Sequence, residues 1–337
     1  MPWGQPKTEL GVIELMRLLQ PVFLIFALTL GLVTAVQGAE GQPLNRDQIV
    51  SLLKGGVAPV RIATILGERG IDFEPMEEDL RALTEAKADE AVLSAVRSAR
   101  QILPPQVVLA RHKRRAKAFE EHGAGADAEA EYRAAIALDP KDFELQTGLA
   151  RSLALQQKWD GAVAAYRLSL TQKPNDFEAT YNLGLALERS GNQTEAINTW
   201  ADAVKIKPDD PLPFEQLARA FTERRDWHRA ATAYRGLVRL RPDSAPAHVG
   251  MGVALQNSGN VNGAVDAFRN ALRVNPNDPV AHNNLGFALE EKGELAAALV
   301  EYRIATTLSP QDEGIKANLE RASQKARRPT LGTMKKK

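Results

Sequence analysis

The sequence of 337 residues contains no cysteine. That excludes disulfides, thiolate zinc sites and a cysteine nucleophile. Aromatic residues are scarce, at 6%. Charge of one sign is lacking as well: 43 basic residues stand against 42 acidic ones, a formal net charge of +1. No global field draws the chain to nucleic acid. The five histidines, His112, His122, His228, His248 and His282, show no HExxH or HxH spacing, so no metal site is expected. There is no GxSxG, no GxxxxGKS and no pair of carboxylates in a plausible pocket. The residues present therefore predict no enzyme and no cofactor. The length exceeds what one compact core fills and predicts two or more units.

Val22 to Val36 reads VFLIFALTLGLVTAV, apolar apart from two threonines and a glycine. A spanning helix takes about 20 apolar residues, so this stretch is short. Arg17 precedes it, and the small residues Gly38 and Ala39 follow. Basic start, short apolar middle and small-residue end predict a signal peptide over residues 1–38, cut near Gly38 or Ala39. Leu18 and Leu19 lengthen the apolar run, so a retained anchor that associates with the membrane is the first alternative and a buried core helix the second. Residues 1–15 push the apolar stretch unusually deep, and Met16 is the expected start. The signal and anchor readings export the rest of the chain, to the periplasm or cell envelope; a core helix would not.

Residues 44–103 show helical spacing with short breaks. Val50 and Leu53 match Leu80 and Leu83 thirty residues on, as Ile62 and Ala63 match Val92 and Leu93. Two similar helix-turn-helix units are predicted, with Gly55-Gly56 breaking the first and Asp89 near the break in the second. Asp47 is the expected N-cap of the first helix, and Glu77 or Glu78 a weaker one further on. Acidic Asp72, Glu74, Glu77, Glu78 and Asp79 oppose a DNA-binding reading, because a recognition helix meets phosphate with a basic face. Pro104-Pro105 is expected to close this small helical domain. The stretch loosely resembles a small helical module that precedes repeats in some bacterial exported proteins.

Pro140, Pro174, Pro208, Pro242, Pro276 and Pro310 stand 34 residues apart. A fixed period of this length marks a stacked repeat. Ala128, Ala162, Ala196, Ala230, Ala264 and Ala298 keep the same step. So does an aromatic column, Tyr132, Tyr166, Trp200, Tyr234, Phe268 and Tyr302. Ala116, Ala150, Gly184, Ala218, Gly252 and Gly286 are always tiny, and Phe119, Leu153, Leu187, Phe221, Leu255 and Leu289 always large and apolar. Thr180, Leu183, Gly184 and Leu187 lie on one face of a first helix, and Ala196, Trp200 and Ala203 on one face of a second. Gly191-Asn192, Gly259-Asn260 and Gly293-Glu294 supply the turn between them. One such hairpin cannot cover its own apolar flanks, so neighbours must do so.

These columns resemble the tetratricopeptide repeat over Leu109 to Asp312, six full repeats. Ser169 and Leu237 depart from it where alanine is usual, and His112 where a large apolar residue is common. The resemblance implies an all-α fold: a right-handed α-solenoid of six helical hairpins over 109–312, preceded by the small helical domain. A capping helix over 313–328 and a basic disordered tail over 329–337 are expected to follow.

The resemblance further implies that first helices line a concave groove that binds another protein or a peptide. Its inward positions include Arg151, Tyr181, Asn182, Leu185, Glu188, Glu215, Gln216, Arg219, Val249, Val253, Asn283, Asn284, Phe287 and Glu290. In some family members asparagines in the column of Asn182 and Asn284 hold the backbone of an extended peptide, and an amide can both donate and accept there. A clamp for a C-terminal carboxylate is not expected, because Lys117 and Gly148 stand where its asparagines belong. His248 and His282, in the packing column of successive first helices, are expected at the repeat interface. The function expected is an exported scaffold or adaptor. The alternatives are an accessory subunit or unrecognised enzyme using 44–103, and a chaperone-like holder of exported chains.

Overall fold

The computed structural model describes residues 41–327. The expected signal or anchor over 1–38 and the tail over 329–337 lie outside them. The described residues form seventeen helices and two isolated β-bridges. None of these helices is long and apolar enough to cross a membrane. The chain divides into two compact units. One runs to Arg115 and includes Ala137–Pro140; the other comprises Ala116–Ile136 and everything from Lys141 onward.

The first unit contains α1 (Arg46–Lys54), α2 (Pro59–Arg69), α3 (Glu77–Glu85) and α4 (Glu90–Ser98). Its core holds Ile49, Leu52, Ile62, Leu66, Leu80, Leu83, Val92, Leu93 and Val96. The buried pairs Ile49/Leu80 and Leu52/Leu83 correct the expected register of the first helices, which repeat at 31 residues, not 30, with Val50 and Leu53 only partly buried. The second helices keep the expected 30, with Ile62/Val92 and Leu66/Val96 fully buried. The N-caps differ too. Asn45, not Asp47, caps α1 by a reciprocal pair of hydrogen bonds with Gln48, at 2.8 and 2.9 Å. At α3 neither Glu77 nor Glu78 caps; Asp79 reaches back to the N–H of Met76 at 3.0 Å. Asp89 caps α4 through the N–H of Val92. Leu44 and Gln101 each form a parallel bridge to Ile71. Gly70 makes this strap feasible: its φ is +74°, and a Cβ there would lie 2.2 Å from the carbonyl oxygen of Arg100. Only glycine fits. Pro105 does not close the module but opens the next helix, where a fixed φ and a missing N–H suit the first position.

Six hairpins follow: α5 (Pro105–Glu121) with α6 (Gly125–Leu138), α7 (Phe143–Leu155) with α8 (Trp159–Gln172), and α9 (Phe177–Arg189) with α10 (Gln193–Ile206). Then come α11 (Pro211–Glu223) with α12 (Trp227–Leu240), α13 (Ala245–Asn257) with α14 (Val261–Val274), and α15 (Pro279–Glu291) with α16 (Leu295–Leu308). The last helix, α17 (Glu313–Arg327), buries Ile315 and Ala322. Two residues after each of the first five periodic prolines, Asp142, Asp176, Asp210, Ser244 and Asp278 accept a hydrogen bond from the first turn of the next helix. Proline ends one helix and the cap starts the next, so the period is written twice. The turns inside the hairpins share a left-handed residue: Gly123, Gly191, Gly259 and Gly293, but also Gln157 at φ 59° and Arg225 at φ 55°. The last two hold that conformation against the Cβ penalty.

One continuous core runs from Ala150 to Ala322. Its largest fully buried side chains are Trp200, Tyr302 and Phe268, from the aromatic column. Each ring lies against first-helix backbone bare of side chain. A Cβ on Gly184 would sit 2.3 Å from the Trp200 Nε1, and one on Gly252 would sit 2.5 Å from the Phe268 ring. Tyr132 and Tyr234 press in the same way on Gly148 and Gly250, which belong to the following hairpin. The rings therefore couple hairpins as well as filling them. Ser169, unusual for its column, is fully buried and bonds to the Thr147 hydroxyl at 2.7 Å and the Phe143 carbonyl at 3.1 Å.

Alanine stands with tyrosine in the second and fourth repeats, as Ala150/Tyr166 and Ala218/Tyr234. Gly184→Ala alone is therefore expected to lower stability by about 1–3 kcal/mol through overpacking, and Gly184→Ala/Trp200→Tyr to recover most of it. Urea unfolding of the three proteins measures this; an additive double variant contradicts the packing.

Candidate peptide-binding groove

The first helices α7, α9 and α11, with α8, line a cavity of ≈ 750 Å³. Ala154, Trp159, Tyr166, Asn182, Leu185, Ala186, Glu188, Arg189, Gln216 and Arg219 form its walls. One position of the first helix runs Arg151, Leu185, Arg219, Val253, Phe287, Arg321 through successive repeats and into α17. The structure divides this column into two kinds. Arg151, Arg219 and Arg321 each reach back to a glutamate 31 residues earlier, on the preceding first helix. Arg151 meets Glu120 and, at 2.8 Å, Glu178. Arg219 meets Glu188 at 2.7 Å and Glu223 at 3.1 Å. Arg321 meets Glu290 at 2.7 Å. The remaining three, Leu185, Val253 and Phe287, are apolar, and Phe287 is 41% exposed.

Two of these pairs are tied to the aromatic column. The Tyr132 hydroxyl donates to Glu120 at 2.6 Å, and the Tyr302 hydroxyl donates to Glu290 at 3.2 Å. Burial opposes the Arg151 charge, but Glu120 and Glu178 hold its pKa above the ordinary guanidinium value. Burial, followed by Glu290, pushes the Tyr302 hydroxyl up to about 12. The Glu290 carboxyl, itself buried, is raised by that burial but drawn further down by Arg321 and Lys325, and ends below the usual range.

The expected groove residues thus fall into two sets. Arg151 and Arg219 are held by ion pairs between repeats. Tyr181 stacks on Phe177 with ring centroids 6.3 Å apart, and its hydroxyl accepts from Gln216 at 3.2 Å. The Gln216 carbonyl oxygen accepts from Arg219 at 2.8 Å. Asn283 accepts from Asn318 at 3.0 Å and so ties α15 to α17. Glu290 is buried. Asn182 and Asn284, by contrast, are half-buried and make no side-chain hydrogen bond to any described residue. Asn182 faces the cavity, and Asn284 neighbours Phe287 on α15. The glutamate–arginine spacing was the signal that sequence reasoning missed: the recurrence of Glu120/Arg151, Glu188/Arg219 and Glu290/Arg321 is visible in the sequence.

Tetratricopeptide-repeat models match residues 113–177, 170–211 and 214–245, and a TPR-repeat model matches residues 257–293. The helical array belongs to the tetratricopeptide-repeat family. No curated protein matches the chain. Among solved structures it is similar to YrrB, a TPR protein described as having an unusual peptide-binding site. The identity is 19% over 56% of this chain and 97% of that one, with a TM-score of 0.50. It is also similar to the C-terminal part of a TPR repeat-containing protein from Cytophaga hutchinsonii, at 16% identity over 63% and 85% of the two chains, TM-score 0.51. At these identities the likeness is one of fold.

In the tetratricopeptide array His248 and His282 are both buried. Each bonds through Nε2 to the carbonyl of a periodic proline, His248 to Pro242 at 2.9 Å and His282 to Pro276 at 3.0 Å. The His282 Nδ1 also meets Glu301 at 2.7 Å.

The depressed Glu290 carboxyl makes the last ion pair pH-dependent. Because its folded pKa is lowered, it stabilises fully above the unfolded carboxylate range and loses that contribution as pH falls through its folded value. Glu290→Gln is expected to lower stability by about 2 kcal/mol at pH 7. The gap should shrink as pH drops below 4.5, the unperturbed value. Urea midpoints of both proteins from pH 7 to 3 measure it; a gap that widens on acidification contradicts the pairing.

Proposed function

We propose that the protein is a non-catalytic adaptor, exported from the cytoplasm, that holds an extended segment of a partner protein along the first-helix face of its repeats. One observation carries this reading: Asn182 and Asn284, three repeats apart on that face, have no side-chain partner among the described residues, while the arginines beside them are spent on glutamates. An amide in that position can accept from a peptide N–H and donate to a peptide carbonyl. The ion pairs make the face polar while using up the charge of Arg151, Arg219 and Arg321, and Leu185, Val253 and Phe287 between them accept apolar side chains. YrrB, described as having a peptide-binding site, shares the repeat fold. Export rests on the basic–apolar–small pattern of Arg17 to Ala39.

Asn182→Ala/Asn284→Ala should leave the fold intact and reduce partner recovery about tenfold, the effect of removing two modest hydrogen bonds. Crosslinking and purification from envelope and cytosolic fractions, wild type beside variant, measures this. Equal recovery of every crosslinked protein removes the groove, and recovery of the protein from the cytosol alone removes the exported location.

A further inference from the structure

We infer that the cavity among α7, α9 and α11 receives an acidic side chain, aspartate or glutamate, of the bound segment. This rests on the groove reading above and specifies its ligand. Three charged residues line the cavity: Glu188, Arg189 and Arg219. Arg219 lies 2.7 Å from Glu188 and also holds Glu223 and Gln216. Glu188 is thereby paired, sharing Arg219 with Glu223. Arg189 makes no ion pair or side-chain hydrogen bond with any described residue. Arg189 is therefore the one charged residue of the cavity wall without a partner among the described residues.

The surroundings sharpen the preference. Glu178, the nearest other acid on α9, is engaged by Arg151 at 2.8 Å and does not compete for Arg189. The Asn182 amide, also without a partner, opens onto the same space and adds a donor. Ala154, Leu185 and Trp159 give apolar wall for the methylene stem of an incoming side chain. A carboxylate so placed gains a charge-assisted bond to a planar guanidinium. A ligand lysine or arginine meets the unpaired Arg189 and is disfavoured by like charge. A single arginine suits a carboxylate rather than a phosphorylated residue, which is usually gripped by a cluster of them. The volume, ≈ 750 Å³, lies within the range of binding pockets and leaves space for the flanking backbone.

Panning a phage-displayed library of random ten-residue peptides tests the inference, with the full chain as bait in four forms: wild type, Arg189→Gln, Arg189→Lys and Arg189→Glu. Arg189 is exposed, and unchanged far-UV circular dichroism establishes that each bait is folded. Wild type should select peptides enriched about fivefold in aspartate or glutamate at one position, the effect of one solvent-accessible ion pair. Arg189→Lys should keep that enrichment, Arg189→Gln should select peptides without it, and Arg189→Glu should favour lysine or arginine instead. If all four select peptides with the same residue frequencies, the acidic site is overturned and the groove stands. If none selects any peptide, wild type included, both readings fall.

Discussion

An aromatic ring from a second helix, pressed onto first-helix backbone that carries no side chain, is the contact from which the array is built. Trp200 over Gly184 and Phe268 over Gly252 close their own hairpins, while Tyr132 over Gly148 and Tyr234 over Gly250 reach the next one. Neither kind leaves space for a Cβ. Fully buried rings of this size provide much of the apolar area the repeats remove from water. Because each ring is covered partly by a neighbour, no hairpin is complete alone, and stability is shared between adjacent repeats.

The same contact organises the polar face. Tyr132 and Tyr302 hold Glu120 and Glu290 through their hydroxyls, and those carboxylates hold Arg151 and Arg321 on the next first helix. A buried ring thus positions a surface ion pair that spans two repeats. The consequence for binding is a face whose charges are mostly internal matters. The side chains left without a polar partner on that face are the amides of Asn182 and Asn284 and the Arg189 guanidinium, while the Phe287 ring lies 5.9 Å from the Arg321 guanidinium.

Much of the fold was legible because repetition averages out local ambiguity. A column such as Ala128 to Ala298 states the same constraint six times, and no single-site accident mimics it. Where the chain does not repeat six times the reading slipped. In the first unit two copies allowed a one-residue error of register between the first helices, which only the burial of Ile49, Leu52, Leu80 and Leu83 resolves. Asp47 was favoured as a cap on composition, yet Asn45 has the extended backbone that lets a side chain reach the first turn. Gln157 and Arg225 hid two turns, because nothing in those residue types announces a positive φ. On the groove face the sequence gives residue types and not pairings. Arg151 and Arg219 are inward positions in the sequence, but that Glu120 and Glu188 hold them is seen only in the structure.

Removing one complete repeat tests the account most directly. Deleting residues 211–244 takes out α11 and α12 and joins Asp210 to Ala245, so that one helix cap replaces another and the 34-residue register survives. If hairpins are held by their neighbours, the shortened protein keeps the same helical content per residue by circular dichroism and still unfolds in urea, at a modestly lower midpoint. Loss of the helical signal, or of any unfolding transition, would show instead that the chain depends on a single enclosed core and would contradict the account.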